Sequence, residues 1–249
     1  LGRLLGSRAR ILHIIHDPEP LVHAVGYSQL TRTIARASLR SNVRLVVHSQ
    51  DAVRTMRSHG FHEALVHLPH PILPPSMALP PREAFNEEPI LMESRLPVRV
   101  LGEYKSHRNM DALAEIADTS PTHWKLEIIG RGWPNVLGWS IRNEFVTEDE
   151  LSSLIENSSV IVVPYRKFFQ SGIAFRSVEL GTPVVGPMVS SMQQILGSNL
   201  EGLMVATDRP GDWSRAVAQA IKTPRSSILG RAAQLSTEAR QLWHDYLTM

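Results

Sequence analysis

Short apolar runs alternate with amphipathic stretches through most of this chain. Ile11-Leu12-His13-Ile14-Ile15 ends at His16-Asp17-Pro18-Glu19-Pro20, the pattern of a buried parallel strand emptying into a proline-broken loop. Leu30, Ile34, Ala37 and Leu39 fall near one face of residues 26–41 and predict a helix there, packed through that face. Residues 43–47 read as a second strand. Ser49 is placed to cap a helix over 50–59, and residues 64–68 read as a third strand ending at Pro69-His70-Pro71.

Residues 69–97 carry eight of the 17 prolines (69, 71, 74, 75, 80, 81, 89 and 97), a density that helix interiors and central strands do not tolerate. The chain therefore divides into a first unit over residues 1–75, an interdomain linker over 76–97, and a second unit over 98–230. In the second unit strands are expected at 98–101, 124–129, 142–146, 160–163, 183–186 and 202–205. Helices are expected at 110–118, 148–157, 172–180, 192–196 and 212–223. Repeated strand–helix units with apolar strands imply a parallel sheet covered on both faces, with ligands beyond the carboxyl ends of the strands. Residues 236–246, within a terminal segment 231–249, read as one more amphipathic helix with Thr237 as its cap.

Composition narrows the function classes. Lys plus Arg is 26 and Asp plus Glu is 24, so the net charge is +2, too small for a dedicated nucleic-acid binder. With no cysteine, disulfides, zinc-thiolate sites and thiol nucleophiles are excluded. The histidines lack metal-ligand spacing with carboxylates, and no metal site is expected. No apolar run reaches the roughly 18 residues that span a bilayer. The expected setting is the cytoplasm, with peripheral contact at the inner membrane face left open. The opening Leu1-Gly2-Arg3 reads as a chain entered partway through a fold.

Chemistry concentrates at Val160-Ile161-Val162-Val163-Pro164-Tyr165-Arg166-Lys167-Phe168-Phe169-Gln170-Ser171-Gly172-Ile173. An apolar strand runs into a basic loop and then into a helix start at Ser171-Gly172. Unsatisfied N–H groups at a helix start make an anion site, and a glycine there admits a phosphate close to the backbone. A serine N-cap with no ligand is the alternative.

Around this loop the sequence resembles the retaining GT-B glycosyltransferases, over about residues 98–222. Ser171-Gly172 is followed by Gly181-Thr182-Pro183-Val184-Val185, and Pro164-Tyr165-Arg166…Ser171-Gly172 is similar to the Ser-Gly loop of a subset of that family. Gly102, with Arg108 six residues later, resembles the family's first strand–loop. Trp124 to Gly132 resembles its strand followed by Gly-x-Gly, and Phe145 to Leu151 the stretch beside the nucleobase.

The resemblance implies an α/β fold of GT-B type: two Rossmann-like, doubly wound parallel-sheet domains, the first one truncated. It implies sugar transfer from a nucleoside diphosphate sugar to a hydroxyl of a glycan, lipid or small-molecule acceptor, with retention, with no metal, and with no cofactor beyond the donor itself. By position, Arg108 and Lys105 would hold the donor diphosphate. Ser171, Gly172 and Ile173 would give backbone N–H groups to the distal phosphate, and Gly102 would let the diphosphate pass. Gly130, Arg131 and Val146 would lie near the nucleoside. His16, at a strand's carboxyl end, would contact the transferred sugar, and the terminal helix would cross back onto the first domain. For His16 a locally bonded loop histidine is the alternative, and for Arg108 a surface arginine at a helix start. His48 is a second-rank cleft candidate, His13 reads as packing, and His67 and His70 as linker-edge residues.

Three positions depart from the family pattern. Glu103 replaces an arginine beside Gly102, and Phe168 and Arg176 stand where carboxylates are usual. A non-catalytic nucleotide-sugar-binding protein, or an inactive truncated relative, is the alternative reading of the whole.

Overall fold

The computed structural model describes residues 10–20, 27–74, 95–206 and 209–249. They form two parallel sheets. The first has β1 (Ile11–Ile14), β2 (Val43–Val47) and β3 (Leu65–His67) in that order, with α1 (Gln29–Ala37) and α2 (Gln50–Ser58) as crossovers. Ser49 caps α2 as expected, its hydroxyl accepting from the Ala52 amide at 3.3 Å.

The second sheet contains β4 (Leu96–Leu101), β5 (Trp124–Ile129), β6 (Ser140–Arg142), β7 (Val160–Val162), β8 (Val184–Pro187) and β9 (Met204–Val205). Their spatial order is β6-β5-β4-β7-β8-β9, all parallel. Helices α3 (Met110–Thr119), α4 (Glu148–Glu156), α5 (Gly172–Glu179), α6 (Ser190–Leu196) and α7 (Asp212–Lys222) connect and cover it, and α8 (Arg225–Thr248) follows. The order reverses between β4 and β7. Connections leave those two strands in opposite directions and open a crevice at their carboxyl ends, where ligands bind in open α/β sheets.

Several boundaries differ from the sequence expectation. Most of the linker 76–97 lies outside the described residues, but Leu96 and Pro97 belong to β4. Leu96 and Gly102 donate to His123 and Ile129 on the β5 side (2.7 and 2.9 Å). The alternating Pro97 nitrogen thus faces the β7 side, one residue before the pairing that starts at Val98 and Val160. Proline is tolerated there because no ladder hydrogen bond is lost. β6 ends at Arg142, not 146, because the Asn143 side chain turns back to accept from the Gly132 amide (2.7 Å) and donate to the Trp133 carbonyl (2.9 Å). The strand expected at 202–205 is preceded by a 3-10 turn, Ser198–Leu203, and keeps only Met204–Val205.

α8 begins at Arg225 behind Pro224, well before the expected 236. Ile228, Ala232, Leu235 and Ala239 are buried at helical spacing along one stripe, which packs on α5 and α6. Thr237 is therefore inside the helix, donating to the Ala233 carbonyl at 3.0 Å, and is not a cap. Near the end of α8, Trp243 Nε1 donates to the Pro69 carbonyl at 2.9 Å, joining the helix to the segment after β3. In the first unit the predicted packing face of α1 is solvent-facing, with Leu30 69% and Ile34 58% exposed and no buried residue in the helix. His13, expected to pack, is also exposed, because among the described residues β1 has only β2 beside it.

The two units share their cores through one loop. Phe168, after β7, is buried in the large core under the second sheet. Phe169, the next residue, is 0% exposed and buried with Leu45, Val47, Val53, Met56 and Phe61 of the first unit. Ile72, just after β3, joins the second unit's core in return. Leu73 N donates to Glu179 Oε1 on α5 (2.8 Å), and Lys167 pairs with Glu19 (2.8 Å).

Truncating Phe169 to alanine is expected to cost about 3–5 kcal/mol, the usual loss for a buried phenylalanine. Urea denaturation of the full chain checks this, with early protease cutting in residues 43–67 as the signature that the first unit loosens first.

Candidate functional site

The crevice between β4 and β7 is built from backbone close packing. Gly102, directly after β4, has φ +95°, and Gly130, directly after β5, has φ +151°. A Cβ on Gly130 would lie 2.2 Å from the Gly102 carbonyl oxygen, so the two loops meet backbone to backbone. Trp133 Nε1 donates to that same oxygen at 2.8 Å and pins the turn.

Arg108 lies at the centre of this end of the sheet. It is 4% exposed. Nη2 donates to the carbonyls of Glu103 (2.9 Å) and Leu101 (3.4 Å). Its guanidinium carbon sits 4.1 Å from the Tyr165 ring centroid and 5.1 Å from that of Trp133. Nε has no hydrogen-bond partner among the described residues, and no carboxylate there pairs with the charge. Burial pulls the guanidinium pKa down, opposed in part by Tyr165, whose own phenol is pushed up by burial. Arginine stays ionised regardless, so the site holds a buried cation facing only carbonyls and rings. Its place is secured by the Arg108–Tyr165 bridge and by the Asn109 amide donating to the Pro164 carbonyl at 2.6 Å. His107 stacks on the outer part of Tyr165, with centroids 5.0 Å apart.

Across the crevice, at the carboxyl end of β7, Ser171 caps α5 and its hydroxyl accepts from the Ala174 amide at 3.3 Å. The Gly172 and Ile173 amides belong to the first turn, which has no intrahelical acceptor for them. Nothing lies within 4 Å of the direction a Gly172 side chain would take, so the approach to that turn is open.

The nucleoside-side candidates divide. Gly130 is buried in the turn just described. Arg131 is exposed, with its guanidinium 5.4 Å from the Phe145 ring, and Val146 is half-buried against the second core. Lys105 is exposed on the first loop, its carbonyl accepting from the Arg108 amide at 2.9 Å.

His16, on the first unit, meets this loop directly: its Nδ1 is 2.5 Å from Gln170 Oε1. The His48 ring is 6.1 Å from that of His16, and the His70 ring is 5.2 Å from that of His48. His70 also stacks on Phe175 of α5 at 4.4 Å, so it belongs to the cleft cluster and not merely to a linker edge. His48, 3% exposed, bonds through Nδ1 to the Leu68 carbonyl at 2.9 Å. Burial lowers the pKa of both His48 and His70, against the pull of hydrogen bonds to Leu68 and Pro71; His70, His16 and His67 lower that of His48 further, while for His70 the effect of His16 is opposed by Glu179. His67 stays at the edge, 3.3 Å from Gln50 Nε2. Among the described residues no group of three or more His, Cys, Asp or Glu could hold a metal ion, and no helix is long and apolar enough to cross a membrane.

The departures from the family pattern also find places. The Glu103 side chain is exposed, while its carbonyl serves Arg108. Arg176 turns to the outer flank of α5, bonding Ser152 (3.1 Å) and pairing with Glu179 (3.4 Å). Phe168 fills core. The structure thus gathers Gly102, Arg108 and Gly130 into one loop cluster, sets Ser171, Gly172 and Ile173 on the neighbouring strand end, and adds His16 from the other unit. Trp133, Tyr165 and Gln170, which complete the site, had no assigned role in the sequence. Tyr165 could have been found from its place in the Pro-Tyr-Arg loop, whereas Trp133 and Gln170 carried no local signal.

No family model matches the sequence, and no curated protein does. Solved structures match through most of the chain. The α,α-trehalose-phosphate synthase (UDP-forming) of Burkholderia xenovorans, in complex with glucose-6-phosphate, superposes at TM-score 0.65 and 13% identity, over 99% of this chain and 69% of that one. Anabaena HepE, in complex with UDP and glucose, gives 0.71 and 11%, over 96% and 72%. Sucrose-phosphate synthase of Thermosynechococcus elongatus gives 0.69 and 15%, over 95% and 67%. The chain covers only 51% of another match, S. aureus TarM, so it spans between half and about seven tenths of these proteins. At such identities the likeness is one of architecture, and the architecture is GT-B: two Rossmann-like parallel-sheet units, the first with three strands among the described residues.

Proposed function

We propose that the chain binds a nucleoside diphosphate sugar in the β4/β7 crevice and belongs to a retaining, metal-independent glycosyltransferase. One observation carries the reading: Arg108, on the loop after β4 at the switch point of the sheet, is a buried cation that pairs with no carboxylate among the described residues. A buried unpaired charge is costly, and an anionic ligand would offset that cost. The fold likeness adds support, since matching structures are described in complex with UDP.

In this reading Arg108, with Lys105 on the loop rim, faces the diphosphate, and the amides of Ser171, Gly172 and Ile173 bind its distal phosphate. Gly102 and Gly130 keep the backbone low enough for the diphosphate to pass. Arg131 and Val146 flank the nucleoside, and His16 meets the sugar. Breaking the anomeric bond puts negative charge on the departing diphosphate. Fixed donors already aimed at that charge stabilise it without reorganisation, which is the role a divalent metal would otherwise fill. The acceptor hydroxyl then attacks the anomeric carbon on the face the leaving group vacates and gives its proton to the departing diphosphate oxygen, so the configuration is retained. His16 and Gln170 meet across the two units beside the place given to the sugar.

Three outcomes are expected. In a thermal-shift titration, one of UDP-glucose or GDP-mannose raises Tm in a saturable way, and the shift is unchanged by EDTA. Arg108→Met weakens that binding by roughly 30-fold, within the range for truncating one partner of a buried charge pair, yet barely lowers the Tm of the unliganded chain, because it removes an unpaired buried charge. With an accepted sugar alcohol, product NMR shows the donor's anomeric configuration. Binding without any transfer would favour the non-catalytic reading. Absence of binding for all common nucleotide sugars at millimolar concentration would sink the proposal.

A further inference from the structure

The side chain that bridges the units at the site is Gln170, between Phe169, sealed in the first core, and Ser171, the cap of α5. Both neighbours are fixed, so Gln170 is held in place from both sides. Its Oε1 lies 2.5 Å from His16 Nδ1. With Gln170 Oε1 facing the ring, the hydrogen of this contact belongs to His16 Nδ1, because an amide oxygen only accepts. In the neutral ring the other nitrogen, Nε2, is then bare and acts only as an acceptor. The partner of one imidazole nitrogen decides the state of the other. Gln170 Nε2 is buried with no hydrogen-bond partner among the described residues, which leaves two N–H donors next to the histidine.

We infer that Gln170 is a positioning residue: it locks His16 as the Nδ1–H tautomer and presents the ring's Nε2 to accept a hydrogen bond from a hydroxyl of the donor sugar, while its own amide N–H donates to an oxygen of the same ligand. This rests on the glycosyltransferase reading above. It predicts a sugar recognised through a paired acceptor and donor, hence by a hydroxyl able to serve both. A deoxy or fluoro sugar at that position would lose the pair. The arrangement also explains why a glutamine, which offers both an acceptor and donors, follows the Phe-Phe pair.

The test uses the full chain with 15N-labelled histidine at pH 8, His16 being assigned by the signal lost in His16→Gln. The expected result is an Nδ1–H ring in the wild type, retained in Gln170→Glu, whose carboxylate also accepts, and displaced toward Nε2–H in Gln170→Leu. In turnover assays Gln170→Leu should lower kcat about tenfold with the donor KM nearly unchanged, the mark of an interaction tightened in the transition state, and Gln170→Glu, which keeps the acceptor for His16 but lacks the N–H donors to the ligand, should recover only part of it. An Nε2–H ring in the wild type, or an Nδ1–H ring unaffected by Gln170→Leu, overturns the role of Gln170 whatever the activity. If the ring behaves as expected but no nucleotide sugar binds to the wild type, the glycosyltransferase reading is what has failed, and the sugar contact falls with it.

Discussion

A guanidinium that cannot shed its charge is held at 4% exposure with no carboxylate among the described residues to answer it, and the carboxyl end of the second sheet is organised around that fact. Two carbonyls of the first loop accept from it, and the faces of Tyr165 and Trp133 enclose it. Trp133 in turn is tied to the Gly102 carbonyl, and Gly102 is in contact with Gly130. Each of these contacts satisfies the cation partially and none neutralises it. In the proposed reading such a site is preorganised: the cation and the rings around it are fixed before an anion arrives, so binding would demand little rearrangement.

Most of the second unit was legible because its signals are local. Apolar strands end in glycine or proline, and helices open at capping residues. Asn109, Thr147 and Ser171 each cap a helix where the pattern placed its start. The errors arise where tertiary contacts override local pattern. β6 stops early because the Asn143 side chain competes for the backbone of the Gly132 turn. α8 starts early because its buried stripe needs a partner, α5, that no local window contains. The apolar face of α1 was visible in the sequence, but its burial was not, since burial depends on what lies opposite.

Within the site, residues that act through the backbone were easier to find than those that act through side chains. Glycines at positive φ and a serine at a helix start announce themselves by type and spacing. Arg108 was found by its position after Gly102, but its burial between two aromatic rings depends on residues 25 and 57 positions further on. Gln170 and His16 lie 154 residues apart, and no pattern in either neighbourhood predicts their contact.

The adjacent phenylalanines decide how the two halves work together. Phe168 belongs to one core and Phe169 to the other, so the loop leading to the start of α5 cannot move with either unit alone. The Lys167–Glu19 pair crosses the same gap, but with both groups partly exposed it contributes at most about 1 kcal/mol. Burial of a phenylalanine contributes roughly 1.5–3 kcal/mol. Hydrophobic anchoring therefore dominates the closed arrangement, and salt would loosen it little. In the proposed reading, parting the two units to admit a donor would require Phe169 to leave the first core, and the same movement would draw Gln170 from His16. In that reading the joining of the two cores and the His16–Gln170 contact are lost together, with Phe169 as the anchor of both.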